Sequence, residues 1–254
     1  QSFIDIGRGV AYAAHAAGVP LVATNHVMPD NFVEFTGLPT RLHDGIARFG
    51  WNLAHSVYSH ADVVTSPTPI AAQYLETQAR LPQVVPVSCG IDLSRFTPKA
   101  ERPRHNRILF VGRLDPEKNL TTLLDAFAAI PAGYNATLEI VGHGSERARL
   151  EAHAARLGVT DRVVFRGYVA DEELVQILHT ATVFVMPSVA ELQSIATLEA
   201  MASGTPVVLA DAMALPHLVA TGHEGFLVPP TDAAAFAARI THILDLDSVA
   251  YEQM

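Results

Sequence analysis

Continuous runs of Val, Ile and Leu alternate along this chain with longer segments of helical period, and that alternation restricts the fold more than any other feature. Strand-length runs stand at Leu21–Ala23, Val63–Ser66, Val84–Pro86, Ile108–Val111, Thr137–Val141, Val163–Arg166, Val183–Pro187 and Pro206–Leu209. Several are apolar at every residue rather than at every second one. Strands read this way when both faces of a parallel sheet are covered. Helices are expected at Gly9–Ala17, Leu42–His60, Thr68–Gln78, Leu120–Ile130, Glu146–Leu157, Asp171–Thr180 and Ile195–Ala202. Strand, helix, strand in that order calls for α/β layers joined by right-handed crossovers. No solenoid repeat or low-complexity tract competes with this reading.

The stretch from Phe96 to Arg104 is polar, broken by Pro98 and Pro103, and precedes the clean strand Ile108–Val111. It reads as a linker between two domains, 1–98 and 99–254. The residues before it offer fewer strands than a complete doubly wound domain needs. The sequence is therefore expected to begin partway through its first domain.

Composition narrows the partners. Apolar residues make up 49% of the 254, enough for a sizeable core. The net charge is -9, most of it carried after residue 100, which argues against nucleic acid and offers no polybasic membrane patch. No apolar run approaches the roughly 18 residues of a membrane-spanning helix. The opening residues show no basic-then-apolar leader pattern, so none is expected. Cys89 is the single cysteine, which excludes internal disulfides and fits a reducing, cytoplasmic setting. A peripheral place at the inner membrane face stays open. Nothing in the sequence fixes an oligomeric state.

Candidate chemistry gathers where strands end. In Val111-Gly112-Arg113-Leu114-Asp115-Pro116-Glu117-Lys118-Asn119 a strand runs into a tight turn. Ligands of open α/β sheets lie beyond such carboxyl ends. Arg113 and Lys118 are two of the few cations in an acidic half. They either grip a phosphate or are solvated on a surface turn. In Pro187 to Pro206 a buried strand feeds a loop and then a helix starting near Ser194, whose free N–H groups suit an anion. Glu191 precedes that helix. Glu199 stands inside it among small and apolar neighbours, where a carboxylate needs partners. Ribose hydroxyls would supply them, and so would backbone groups. The Gly142–Gly144 turn permits close backbone approach, and Tyr168 with Val169 follows another strand end. Twelve histidines show no metal-ligand spacing. His26 differs in context: it follows the strand Leu21–Ala23 and precedes Val27 to Asn31, either as a functional group or as a bond within its own loop.

Together these segments resemble family-4 retaining glycosyltransferases of the GT-B fold, in which two Rossmann-like domains face a cleft. Glu191 to Pro206 looks like that family's E-x7-E motif, and Gly112-Arg113-Leu114 with Glu117-Lys118-Asn119 is similar to its phosphate segment. Cys89-Gly90-Ile91-Asp92 with Phe96 and Pro98 resembles its interdomain stretch. Gly222 to Val228 resembles its strand after the motif. The resemblance implies that residues 1–98 are the C-terminal part of an acceptor-side domain and 99–254 bind the donor. Arg113 and Lys118 would hold the diphosphate of a UDP- or GDP-linked sugar and stabilise its departure. Glu191 would bond donor-sugar hydroxyls. Amides around Gln193, Ser194 and Ile195 would contact sugar or phosphate, and Glu199 would bind ribose. Gly112 and Gly142 would let the nucleotide approach, and Tyr168 and Val169 would lie near the base. His26 would face donor sugar and acceptor. No metal or further cofactor is implied, because cations and a helix terminus replace it.

Ala23 to Asn31 resembles the subgroup that glycosylates membrane lipids, which implies a lipid acceptor. The family's first glycine-rich loop and its last crossing helix are not in these 254 residues. If they are the whole polypeptide, donor binding with little turnover is expected. Two rivals remain: a non-catalytic sugar-nucleotide-binding module, and a GT-B epimerase that consumes donor without acceptor. A dinucleotide dehydrogenase is weaker, since no G-x-G-x-x-G follows a strand.

Overall fold

The computed structural model describes residues 6–30, 40–98 and 105–254. These fall into two compact units, Gln1–Cys89 and Gly90–Met254. Asn31 of the lipid-subgroup segment and Lys99 to Arg104 of the linker lie outside the described residues.

In the smaller unit, helix α1 (Ile6–Ala17) leads to β1 (Val22–Thr24), α2 (His43–Tyr58), β2 (Val63–Ser66), α3 (Pro69–Ala79) and β3 (Val85–Pro86). The three strands pair in parallel in the order β1-β2-β3. α3 starts where it does for local reasons. Thr68 caps it by accepting from the Ala71 amide at 3.2 Å, and Pro69 sits at its first position, where no amide is missed. Trp51, Ala54, Leu75 and Val84 form this unit's core.

The larger unit holds β4 (Arg107–Val111), α4 (Leu120–Ala129), β5 (Thr137–Val141), α5 (Arg147–Leu157), β6 (Val163–Gly167), α6 (Asp171–Thr180), β7 (Val183–Met186), α7 (Ile195–Ala202), β8 (Val207–Ala210), β9 (Gly225–Val228), α8 (Ala233–Asp245) and α9 (Ser248–Glu252). Its six strands are all parallel, in the order β6-β5-β4-β7-β8-β9. Phe110, Phe127, Phe184 and Phe236 are fully buried between sheet and helices, each contributing about 1.5–3 kcal/mol.

One polar ladder crosses this sheet. Glu139, in the middle of β5 and 4% exposed, takes the Arg107 guanidinium on one side and Arg166 on the other, at 2.9 and 2.7 Å. Arg107 also donates to Thr180 at the end of α6, and Arg166 reaches Glu173 in its first turn. Ion pairs thus help to seat α6 where few of its residues are buried.

Most expected elements exist with ends moved by a few residues. The expected helix Leu42–His60 is shorter: a tight turn covers Thr40–Leu42, and the helix proper ends at Tyr58. Helices α8 and α9 had no counterpart in the sequence reading. Phe236, Ile240, Ile243 and Leu244 line up at helical spacing behind an Asp232 cap, a signal that was present in the sequence.

Candidate functional site

The chain reverses its direction of travel across the larger sheet between β4 and β7. Strands β4, β5 and β6 step outward one way, and β7, β8 and β9 step the other. Carboxyl ends of adjacent strands that part in this way open a crevice, the standard ligand position in such sheets. The turn after β4 carries Gly112 to Asn119, and the loop after β7 carries Pro187 to Ser194.

Lys118 and Glu191 meet across that crevice. The ammonium lies 2.5 Å from Glu191 Oε1, with side chains 13% and 9% exposed. Both loops are pinned. The Glu117 carbonyl accepts from Ser188 Oγ and from the Val189 amide. The Glu191 carbonyl accepts from the Ala214 amide at 3.2 Å. Asn119 adopts a left-handed conformation and donates from its side chain to the carbonyls of Pro187 and Pro230. It ties the β4 turn to the loops after β7 and β9.

Arg113 is held differently. Its guanidinium contacts Asp115 Oδ2 at 2.5 Å and Glu117 Oε1 at 2.9 Å, while 63% of its side chain stays exposed. Asp115 and Glu117 are both buried, and Glu117 Oε2 has no partner. The arginine is therefore oriented by carboxylates from its own turn, with a face left to solvent.

Over the ends of β4, β5 and β6 lies a cleft of about 290 Å³. Gly112, Arg113, Gly142, Tyr168 and Val169 all line it, together with Asp171 at the start of α6. Tyr168 is 78% exposed, so its ring is free to cover a ligand. His143, singled out by nothing in the sequence, lines the same cleft. Gly142 has φ 130°, and the turn it makes lets the Leu114 amide donate to the His143 carbonyl and the Glu146 amide to the Leu114 carbonyl. Gly144 allows the same close passage, since a Cβ there would come 2.4 Å from the Leu114 carbonyl oxygen.

Ser194 caps α7: its Oγ accepts from the Thr197 amide at 3.4 Å and from the Thr197 hydroxyl at 2.7 Å. Ile195 and Gln193 flank it, half-buried. Glu199, one turn on, is half-buried rather than enclosed. Burial holds its carboxyl above the ordinary range, Arg95 opposes that rise, and Asp171 adds to it. Arg95 and Asp171 form an ion pair at 3.2 Å. The charged neighbours of Glu199 are therefore these two, rather than Arg113 or Lys118. Neither was a candidate in the sequence, because both are distant from Glu199 along the chain.

His26 lies in the smaller unit, exposed, with Nδ1 3.8 Å from Cys89 Sγ. Its neighbour Asn25 is 2% exposed and accepts from the Tyr58 hydroxyl at 2.9 Å, which fixes the loop that presents the histidine. Further along, Asp30 accepts from Trp51 Nε1 and the Tyr74 hydroxyl. Burial pushes the Tyr58 hydroxyl up to about 12, and burial with Asp30 does the same to Tyr74. Among the described residues no helix is long and apolar enough to cross a membrane, and no three His, Cys, Asp or Glu side chains cluster as metal ligands.

A family model described as "Glycosyl transferases group 1" matches residues 95–254, and one described as "Glycosyltransferase Family 4" matches residues 1–95. A GDP-mannose-dependent alpha-mannosyltransferase of Mycolicibacterium smegmatis is 32% identical, over 94% of this chain and 62% of its own length. A D-inositol 3-phosphate glycosyltransferase of Streptomyces avermitilis is 37% identical, over 66% of this chain and 40% of its own. Among solved structures, sucrose-phosphate synthase of Thermosynechococcus elongatus superposes with a TM-score of 0.79 at 27% identity, covering 96% of this chain and 64% of that one. The Anabaena protein HepE, solved with UDP and glucose, gives 0.73 at 25% identity, covering 96% and 67%. The chain thus spans less than two thirds of the length of these curated relatives.

Proposed function

The chain belongs to the group 1 glycosyltransferases, with family-4 sequence in its smaller unit and the α/β units of the GT-B fold, and from that premise we propose that it binds a nucleoside-diphosphate sugar and transfers the sugar with retention at the anomeric carbon. The observation that carries this reading is the Lys118–Glu191 pair at the point where the strand order reverses. A cation and a carboxylate side by side there suit a ligand with a phosphate next to a hydroxyl-rich ring.

The chemistry follows from charge. Breaking the sugar–phosphate bond leaves negative charge on the diphosphate and partial positive charge on the sugar. Arg113, oriented by Asp115 and Glu117, and Lys118, passing from Glu191 to phosphate as sugar hydroxyls take the carboxylate, stabilise the first. The α7 amino end, with Gln193, Ser194 and Ile195, adds its dipole. Glu191 receives sugar hydroxyls and is no nucleophile in this scheme. Glu199 takes the ribose hydroxyls, and Tyr168 and Val169 border the base. Cations and a helix terminus do the work of a metal, so none is needed. On the acceptor side, His26 is the residue we assign. The sequence resemblance of Ala23 to Asn31 supports a lipid acceptor, which would bring the protein to the inner membrane face.

The test is calorimetric titration with a panel of UDP- and GDP-linked sugars, repeated with Glu199→Ala and with chelator. Saturable binding that survives chelation and weakens in the variant supports the assignment. Binding that needs a divalent ion would contradict the metal-free scheme. Transfer assays with diacylglycerol vesicles against soluble sugar acceptors separate the lipid reading from its competitors.

A further inference from the structure

We infer that the Lys118–Glu191 pair also discriminates, favouring a loaded sugar nucleotide over the spent nucleoside diphosphate; this rests on the donor reading above. The lysine is answered by a carboxylate 2.5 Å away before any ligand arrives, and both side chains are largely withdrawn from water. Like charges repel strongly in such a place, because water screens them poorly. A bare diphosphate approaching Lys118 meets the Glu191 carboxylate and brings no hydroxyl for it. It must split the pair, stranding a buried carboxylate, or sit beside it and bear the repulsion. A donor with its sugar attached satisfies both members: phosphate oxygens take the ammonium, and ring hydroxyls donate to the carboxylate.

The main chain is anchored on both sides of the pair. The Lys118 amide donates to the Asp115 carbonyl at 3.0 Å, and the Glu191 carbonyl accepts from the Ala214 amide at 3.2 Å. Arg113 offers a contrast. Its carboxylate partners Asp115 and Glu117 belong to its own turn, and most of its side chain is exposed. It can serve phosphate whether or not a sugar follows. Selectivity for the loaded donor is thereby assigned to Glu191, and one consequence is easier release of the diphosphate product.

The experiment compares UDP and GDP with UDP-glucose and GDP-mannose by calorimetry on wild type and Glu191→Gln. The variant should bind the free diphosphate about tenfold tighter than wild type and the sugar nucleotide more weakly, so that the preference collapses or inverts. Glu191→Asp, which keeps the charge but withdraws it by one methylene, should shift the ratio the same way by less, and it serves if the Gln variant fails to fold. Lys118→Met should weaken both ligands. A folded Gln or Asp variant that binds free diphosphate no tighter than wild type overturns the inference while leaving the donor reading intact. Wild type that binds none of the four compounds overturns the donor reading itself.

Discussion

A side chain at Gly142 would place its Cβ 1.8 Å from the carbonyl oxygen of Gly112. Two strand exits that border the candidate cleft therefore touch backbone to backbone, and only glycine lets them. Gly142 also has φ 130°, which L-residues rarely adopt. Gly142→Ala should cost roughly 3 kcal/mol or more, because backbone must move to admit the methyl group. Gly158→Ala is the control: its φ is 70° but nothing lies within 4 Å, so strain alone should cost about 1 kcal/mol. Denaturant unfolding of both variants checks the difference, and equal losses would contradict the close approach.

Removing the lysine from its pair should be worse than removing both members. Lys118→Ala leaves Glu191 buried without a cation, at a cost of about 3 kcal/mol. Adding Glu191→Gln to that variant should restore part of the loss. A double-mutant cycle by thermal unfolding gives the coupling, and strictly additive effects would show that the two side chains do not interact.

Glu199 makes the site sensitive to pH. Burial first, then Asp171, raises its carboxyl above the ordinary range, against the pull of Arg95. A raised carboxyl favours the protonated folded state. Stability from this group is thus lost as pH rises from the ordinary carboxylate range through the raised one. Glu199→Gln should therefore be more stable than wild type at neutral pH and equal to it in acid. Ribose hydroxyls favour the ionised form, so donor affinity in wild type should rise with pH over the same window. A flat affinity profile in that window would remove Glu199 from the ribose.

In the smaller unit, ultraviolet titration should find Tyr58 and Tyr74 ionising near pH 12. Asp30→Asn should bring Tyr74 down, because the negative charge beside its hydroxyl is gone, and leave Tyr58 in place. A variant in which both tyrosines fall together would mean that the loop had loosened instead.

The parallel sheets were readable because several of their strands, β7 and β8 among them, are apolar at every position, a pattern that survives without knowledge of neighbours. The turn Gly112 to Asn119 and the loop Pro187 to Ser194 were readable for the same reason: each follows such a strand. What stayed hidden depends on contacts distant along the chain. The Lys118–Glu191 pair joins residues 73 positions apart, and sequence offered only the two types. Arg95 and Asp171 also act on Glu199 from beyond its own helix, so no local pattern marks them. The capture of Arg113 by Asp115 and Glu117 was a different case, since both carboxylates stand within four residues of it. Helix α8 was obscured by its alanines, which weaken the contrast between its faces.

Calorimetric titration of UDP- and GDP-linked sugars into wild type and Arg113→Ala tests the central claim most directly. Binding needs no turnover, and circular dichroism of the variant comes first, because loss of the arginine leaves buried Asp115 and Glu117 without their cation. The account predicts saturable binding of at least one donor to wild type and a loss of about tenfold or more in the variant. Equal affinity in the two proteins would contradict it.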